Sequence, residues 1–212
     1  MIHPLMENPM RRPYLLIISL LLIGSAPAFA DYQFSGKNYS LTYKETQDEQ
    51  IISLRGQILS GIVEDLTGLN EVKKMIKPGK DILLKLNSGG GFQVKFNQLS
   101  KAIKKACYPH GEESKQCEIT TEVTTMCASA CIPLFMVGDI RQAGRYANFG
   151  FHQAAVIPGA LRIPGMAQRD LRKNGVNDEW LKANAHLFAT LQITWLRPGE
   201  LNGSDIVTNY LP

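Results

Sequence analysis

Apolar residues recur along this chain with a period of two in some stretches and a helical period of about 3.6 in others. The period of two, or a short continuous apolar run, predicts strands at residues 32–43 (a strand or a hairpin), 51–58, 81–86, 118–126 and 145–152. The helical period predicts helices at residues 61–76, 92–106, 129–137 and 178–196. A glycine-rich turn at residues 87–91 and a loop at residues 157–165 complete the order. This alternation predicts an α/β fold with a largely parallel sheet and right-handed crossovers.

The first 30 residues have the three zones of an export signal. Arg11 and Arg12 precede an apolar run at residues 14–23, and Ala28-Phe29-Ala30 is a small-x-small cleavage site. The run is too short for a spanning helix, which needs about 20 residues. A buried or anchoring helix is the less favoured alternative. We therefore expect a signal peptide at residues 1–30, a periplasmic or secreted protein that begins at Asp31, and no stable membrane span after cleavage.

The charge balance excludes some classes of partner. The whole chain carries a net charge of +4, and removal of residues 1–30 leaves +3 because Arg11, Arg12 and Glu7 are lost. The remaining basic residues occur as scattered pairs, so nucleic acid is not an expected partner. The remaining length, residues 31–212, suits one domain with a real core.

The chain has four cysteines, all after the signal: Cys107, Cys117, Cys127 and Cys131. An oxidising compartment allows them to pair, with three possible connectivities. The polar segment between Cys107 and Cys117 favours a bridge at its base. Cys127 and Cys131 are then a second pair or two free thiols. Neither His110 nor His152 completes a zinc-type spacing with them, so no metal and no cofactor are predicted.

Three polar or glycine-rich features fall where predicted strands end. Residues 89–91 are three glycines, whose backbone N–H groups can approach a ligand closely. Ser129 opens a predicted helix, where free N–H groups favour developing negative charge. His152 ends a strand. Each feature has an ordinary explanation, namely a flexible turn, an N-cap and a structural histidine. The glycines also lack the Lys-Ser/Thr ending of a nucleotide-binding loop.

Taken together, four segments resemble the ClpP-like serine peptidases of the ClpP/crotonase superfold. They are Arg55-Gly56-x-Ile58, residues 86–91 (LNSGGG), Ala128-Ser129-Ala130 and Phe151-His152-Gln153, in the family's order and spacing. The resemblance covers about residues 50–155, and the export signal would put the chain in an exported branch. It implies a spiral of β-β-α units with flanking helices and a C-terminal helical region.

The resemblance also implies roles for individual residues. Ser129 would be the nucleophile and His152 the general base. The oxyanion hole would be the N–H of Gly91 or Gly90 together with the N–H of Ala130. Relatives of this fold usually assemble as rings or trimers, so a homo-oligomer is expected. Phe188, Leu191 and Trp195, at near-helical spacing, would form either its interface or part of the core.

Two departures from the family pattern bear on the chemistry. Gly89 stands where the family has Pro. The family's third triad member is an Asp, and the matching position here is Ile193 or a neighbour. Asp178, Glu179 and Asp205 are possible substitutes, and a Ser–His dyad with another group orienting the imidazole is the alternative.

These residues predict an exported serine hydrolase of the peptidase kind that cleaves a peptide or a small ester or amide without an ATPase partner. One alternative is a non-catalytic binding or assembly protein on the same scaffold. Another is an acyl-CoA-binding protein of the crotonase kind. His110 and His186 compete with His152 for the role of base, but a surface position and helix packing explain them better.

Overall fold

A single mixed sheet organises the part of the chain that the computed structural model describes, residues 31–36, 38–58, 67–153 and 165–212. Its strands are β1 Asp31–Ser35, β2 Tyr39–Glu45, β3 Glu49–Ile58, β4 Asp81–Gly91, β5 Ile119–Ala128, β6 Ile140–Gly144, β7 Asn148–Phe151, β8 Thr194–Leu196 and β9 Asn209–Leu211. The helices are α1 Thr67–Met75, α2 Gln93–Cys107, α3 Cys131–Phe135, α4 Met166–Lys173 and α5 Asp178–Ala183. The predicted signal peptide at residues 1–30, the start of the helix predicted from residue 61 and nearly all of the loop predicted at residues 157–165 lie outside the described residues.

The sheet is antiparallel at one end and parallel through its centre. Strands β1, β2 and β3 form an antiparallel meander, which confirms the hairpin alternative for residues 32–43. Strands β3, β4, β5, β6 and β9 then run parallel in that order. Gly56, at φ 86°, lies where the β3–β4 register shifts. The predicted α/β class with a largely parallel sheet is confirmed.

Strand β5 divides its pairing between two neighbours. Its first half, Thr120–Val123, pairs with β6, and its last residues, Met126–Ala128, pair with β7. The antiparallel strand β8 then supports β7 from the other side, with Gly150 opposite Trp195. The carboxyl ends of β5 and β7 therefore lie side by side, which is where ligands bind in sheets of this kind.

The core lies between the sheet and helices α1, α2 and α3. Alternate residues of β4 are buried, and α2 covers them with Phe96, Leu99 and Ile103, each no more than 1% exposed. Helix α3 is buried on nearly all sides, and its Phe135 ring packs on Phe149 of β7 at 5.3 Å between centroids. Burial of each such side chain contributes about 1.5–3 kcal/mol, so the junction of β5, α3 and β7 is firmly supported.

Both cysteine pairs are at disulfide distance. Cys107 and Cys117 close the polar loop after α2, with their Cα atoms 4.8 Å apart. Cys127 and Cys131 are also paired, with 5.3 Å between Cα atoms. The preferred first bridge is confirmed, and the second pair is a bridge rather than two free thiols. No helix in the described ranges is long and apolar enough to cross a membrane.

Two secondary-structure predictions are wrong. The segment 178–196 is not one helix, because α5 ends at Ala183, a 3-10 turn follows at Ala185–Phe188, and β8 occupies Thr194–Leu196. Edge pairing with β7 overrides helical periodicity there. Phe188 is buried, whereas Leu191 and Trp195 are 46% and 43% exposed, so these residues do not form the predicted helical stripe.

The glycine segment also differs from its prediction. Residues 87–91 do not turn the chain but continue β4, which runs to Gly91 before α2 begins. Gly90 and Gly91 adopt φ values of 91° and 135°, which keep the strand extended along a path that other residues rarely follow. Strands β6 and β9 were not predicted, because they have only 5 and 3 residues and weak apolar alternation.

Candidate active site

Ser129 occupies a strained turn between β5 and α3. Its φ is 55°, and among the described residues only Asp205 is another non-glycine residue with positive φ. This conformation costs about 1–2 kcal/mol, so surrounding contacts must hold it in place. The Ser129 N–H donates to the Gly150 carbonyl at 3.0 Å, and the Ser129 carbonyl accepts from the Ile132 N–H at 3.0 Å. A serine on such a strand–turn–helix junction has the geometry of a nucleophile elbow.

The Cys127–Cys131 bridge spans this same turn. Cys127 lies in β5 and Cys131 is the first residue of α3, so the bond ties the two arms of the turn together across Ser129. Both cysteines are fully buried, whereas Ser129 between them is half-buried. The covalent link therefore restricts the turn while the serine side chain keeps access to solvent.

Gly90 lies directly against the serine turn. A Cβ atom added to Gly90 would lie 2.8 Å from the Ser129 Cβ and 2.5 Å from the Ala128 carbonyl oxygen. No real side chain tolerates such distances to backbone, so only glycine fits. The Gly90 N–H donates to the buried Ser88 Oγ at 3.1 Å, and that hydroxyl donates to the Gly56 carbonyl at 2.5 Å. Ser88 thus fixes the path of the glycine segment beside Ser129.

Gly89 and Gly91 are restricted by β3. A Cβ at Gly91 would lie 2.2 Å from the Ile58 carbonyl oxygen, a backbone clash that cannot relax. A Cβ at Gly89, where the resembling family has Pro, would meet the Gln57 side-chain amide at 2.3 Å, and that flexible side chain can move. The constraint on glycine is therefore strict at positions 90 and 91 and weaker at position 89.

His152 follows β7 and is held by a backbone group. Its Nδ1 lies 2.7 Å from the carbonyl oxygen of Gln153. A carbonyl only accepts, so Nδ1 carries the proton and the neutral ring leaves Nε2 as an acceptor. The Gln153 N–H in turn donates to the Thr190 carbonyl at 2.7 Å. The group that orients this imidazole is a main-chain carbonyl, where the triad pattern has a carboxylate.

Ser129 and His152 line one open cleft. The β5–β7 register explains why they meet there, because Ala128 is opposite Gly150 and both strands end immediately afterwards. Two further polar side chains, those of Gln93 and Asp170, line the cleft and were not identified from the sequence. The apolar lining includes Ile132, Pro133, Phe151, Leu171 and Phe188. Asp170 lies on α4, beyond the segment that resembles the family, so no motif identified it.

The competing histidines and acids lie elsewhere. His110 is in the disulfide loop, where its N–H donates to Ser114, and His186 is exposed in a 3-10 turn. Neither lines the cleft.

Of the three acids considered as triad substitutes, Asp178 pairs with the side chains of Arg172 and Lys182. The hydrogen bond from Arg172 lowers the pKa of Asp178. Glu179 and Asp205 are exposed, and none of the three lines the cleft. No cluster of three or more potential metal ligands occurs in the described residues.

Comparisons with known proteins agree on the fold. No protein-family model matches the sequence, and no curated protein matches it either. The ClpP protease catalytic domain from Plasmodium falciparum superimposes with a TM-score of 0.51 at 14% identity, over 76% of this chain and 84% of that one. A peptidase from Plasmodium falciparum gives a TM-score of 0.51 at 16% identity, over 76% and 95% of the two chains.

At these identities the superpositions concern the fold and not the chemistry. They agree with the parallel sheet, the flanking helices and the order of elements described above. The chain has a ClpP-like fold.

Proposed function

We propose that this protein is a serine hydrolase of the peptidase kind, in which Ser129 is the nucleophile and His152 the general base. One observation supports this most strongly. Ser129 stands at a positive-φ turn that opens into the same cleft as His152, whose Nδ1 is engaged so that Nε2 is the free acceptor. A serine hydroxyl needs such a base to become nucleophilic near neutral pH.

The reaction would proceed by acyl transfer. Ser129 Oγ attacks the substrate carbonyl carbon while His152 Nε2 takes the hydroxyl proton. The tetrahedral intermediate collapses as the imidazolium returns that proton to the leaving amine or alcohol. Water, deprotonated by the same Nε2, then attacks the acyl-enzyme and releases the acid.

Backbone N–H groups would stabilise the oxyanion. No group in the described part of the chain accepts a hydrogen bond from the Ala130 N–H. The Gly90 N–H already donates to Ser88, which favours Gly91 over Gly90. Each such donor is worth about 2.7–4 kcal/mol.

The orienting carbonyl sets the expected strength of catalysis. The Gln153 carbonyl fixes the correct tautomer, which is one of the two tasks of a triad carboxylate. It carries only a partial negative charge, so it stabilises the imidazolium less than a carboxylate does. We therefore expect a slow hydrolase suited to short, unfolded or otherwise accessible substrates.

Labelling with a fluorophosphonate probe tests the proposal. The wild-type protein should be labelled, and Ser129→Ala or His152→Ala should abolish labelling. Ser100→Ala and His186→Ala are matched controls. The Ser100 hydroxyl donates to the Phe96 carbonyl within its own helix, His186 is exposed, and neither lines the cleft. Labelling that survives Ser129→Ala would refute the proposal.

The cellular setting is also a proposal. We infer that the protein is exported, with residues 1–30 removed, and that it acts as a homo-oligomer without an ATPase partner. Two disulfides are compatible with an oxidising compartment outside the cytoplasm. An ATP-driven unfoldase would have no ATP supply there. N-terminal sequencing of the periplasmic protein should begin at Asp31, and light scattering should give a multiple of the chain mass.

One observation favours a second function. Among the described residues no carboxylate contacts the imidazole of His152, so the scaffold also suits a non-catalytic binding protein. That protein would be folded and unreactive to the probe. Turnover of any ester or peptide substrate that depends on Ser129 would exclude it.

A further inference from the structure

Asp170 is the one carboxylate among the described residues of the cleft, and those residues give it no counter-charge. It lies half-buried on α4, which presents Ala167, Asp170 and Leu171 to the cleft at the three- and four-residue spacing of one helix face. In the described part of the chain, no side chain or backbone N–H donates to this carboxylate, and no ion pair includes it.

Other acids of the protein show the contrast. Asp139 accepts from Tyr108, Ile119 and Lys115, and Asp178 is held by Arg172 and Lys182. A carboxylate half-removed from water without a partner is unfavourable unless a ligand supplies one. Among the described residues no lysine or arginine lines the cleft, so a bound substrate can supply that partner.

The residues that line the cleft with Asp170 indicate which kind of substrate side chain would pair with its carboxylate. Ile132, Pro133, Leu171 and Phe188 are apolar, and the Gln93 amide donates to Asn97. Lysine and arginine side chains combine an aliphatic stem with a charged end, so they can pack along apolar walls and still reach an acid. A neutral or acidic side chain would leave the carboxylate unpaired or repelled.

We propose that Asp170 determines specificity, by pairing with a lysine or arginine side chain on the acyl side of the bond that Ser129 attacks. The proposal deepens the proposed hydrolase activity and rests on it for the position of the reacting bond. Ser129 and Asp170 line the same cleft, so we place the cationic group on the substrate residue next to the attacked carbonyl. A charge-assisted hydrogen bond of this kind should change selectivity by about tenfold or more.

Two diphenyl phosphonate probes that differ only in side chain, lysine or the isosteric norleucine, measure this selectivity. The wild-type protein should react about ten times faster with the lysine probe. Asp170→Asn should reduce that ratio to near one, and Asp170→Lys should invert it. Asp178→Asn removes the same charge from an exposed site outside the cleft and should leave the ratio unchanged. A loss of both rates by the same factor in Asp170→Asn would overturn the proposal, because Asp170 would then act through His152.

A second measurement separates this proposal from the proposed function. If neither phosphonate reacts, the Ser129→Ala protein is titrated with Nα-acetyl-lysine amide and Nα-acetyl-norleucine amide, followed by NMR. Tighter binding of the lysine compound, lost on adding Asp170→Asn, would support the cation site although the hydrolase proposal had failed. Equal or absent binding of the two compounds would overturn it.

Discussion

The Nδ1 atom of His152 lies 2.7 Å from the carbonyl oxygen of Gln153, the residue that follows it in the chain. This hydrogen bond fixes the tautomer with a main-chain group, and the Gln153 N–H anchors that group to Thr190. The position of His152 therefore depends on the β7–β8 pairing, which brings residues 190–196 beside β7. A carboxylate elsewhere in the sequence is not needed to orient the ring.

The first prediction concerns the three acids that sequence reasoning offered as triad members. Asp178→Asn, Glu179→Gln and Asp205→Asn should each keep the fluorophosphonate labelling rate within about threefold of wild type, because the side chains lie outside the cleft. Loss of a true triad carboxylate costs about 10⁴-fold. A loss of that order in any of the three would identify it as the group that orients His152.

The second prediction concerns the contact between Gly90 and the serine turn. Gly90→Ala should strongly reduce labelling and destabilise the fold by about 2–4 kcal/mol, because the added Cβ meets backbone at a positive φ. Gly175→Ala is the matched control. Its φ of 87° is close to the 91° of Gly90, but nothing lies within 4 Å of its Cβ position.

Gly175→Ala should therefore cost only about 1 kcal/mol and keep the labelling rate. Thermal unfolding and labelling kinetics check both variants. Equal labelling of the two variants would show that the approach of Gly90 to Ser129 has no part in reactivity.

The third prediction separates the two disulfides. Replacing Cys127 and Cys131 by Ala should slow labelling, because the strained Ser129 turn loses its covalent tie, and should cost about 2 kcal/mol of stability. Replacing Cys107 and Cys117 by Ala should cost about 3 kcal/mol through the longer loop but leave labelling of the folded protein unchanged. Unfolding by urea and labelling rates distinguish the two effects. The interpretation fails if the Cys107–Cys117 variant loses labelling and the Cys127–Cys131 variant does not.

The fourth prediction concerns acid stability. Burial alone would raise the pKa of Asp139, but hydrogen bonds from Tyr108 and Ile119 and the ammonium of Lys115 outweigh burial, so the pKa is lower than usual. The carboxylate thus contributes stability above its unfolded pKa of about 3.9, and this contribution is lost as the pH falls through the lower folded pKa. Urea unfolding at about pH 7 and pH 3 should therefore show a larger loss for wild type than for Asp139→Asn.

An equal loss at low pH in wild type and Asp139→Asn would contradict this account. Asp178→Asn is a useful comparison, since Asp178 is exposed and its pairing with Arg172 is worth little in water. The free energy of unfolding of the Asp178→Asn protein should depend on pH almost as that of wild type does.

The periodicity of apolar residues predicted much of the fold. It failed where pairing between distant strands determines the structure. Local sequence was sufficient to predict β3, β4 and β5 from their apolar runs and α2 from its helical spacing. The structure confirms these four elements. Residues 189–196 have helix-compatible spacing, but β8 forms because β7 offers an open edge. Such edge pairing involves residues far apart in sequence and leaves no periodic signal.

The candidate site also combines residues that local sequence identifies with groups that only tertiary structure brings into place. Ser129, His152 and the glycines stand in short motifs at strand ends, so the sequence alone identifies them. The orienting carbonyl of Gln153 has no side-chain signature, since any residue carries one. Asp170 enters the cleft through the docking of α4 against α3, a tertiary contact that no local pattern encodes.

The most direct test of the account is a peptide map of the protein after reaction with a fluorophosphonate. We expect one adduct per chain, on the hydroxyl of Ser129, and no adduct in the Ser129→Ala protein. An adduct on another residue, or a folded wild-type protein that gains no mass, would contradict it.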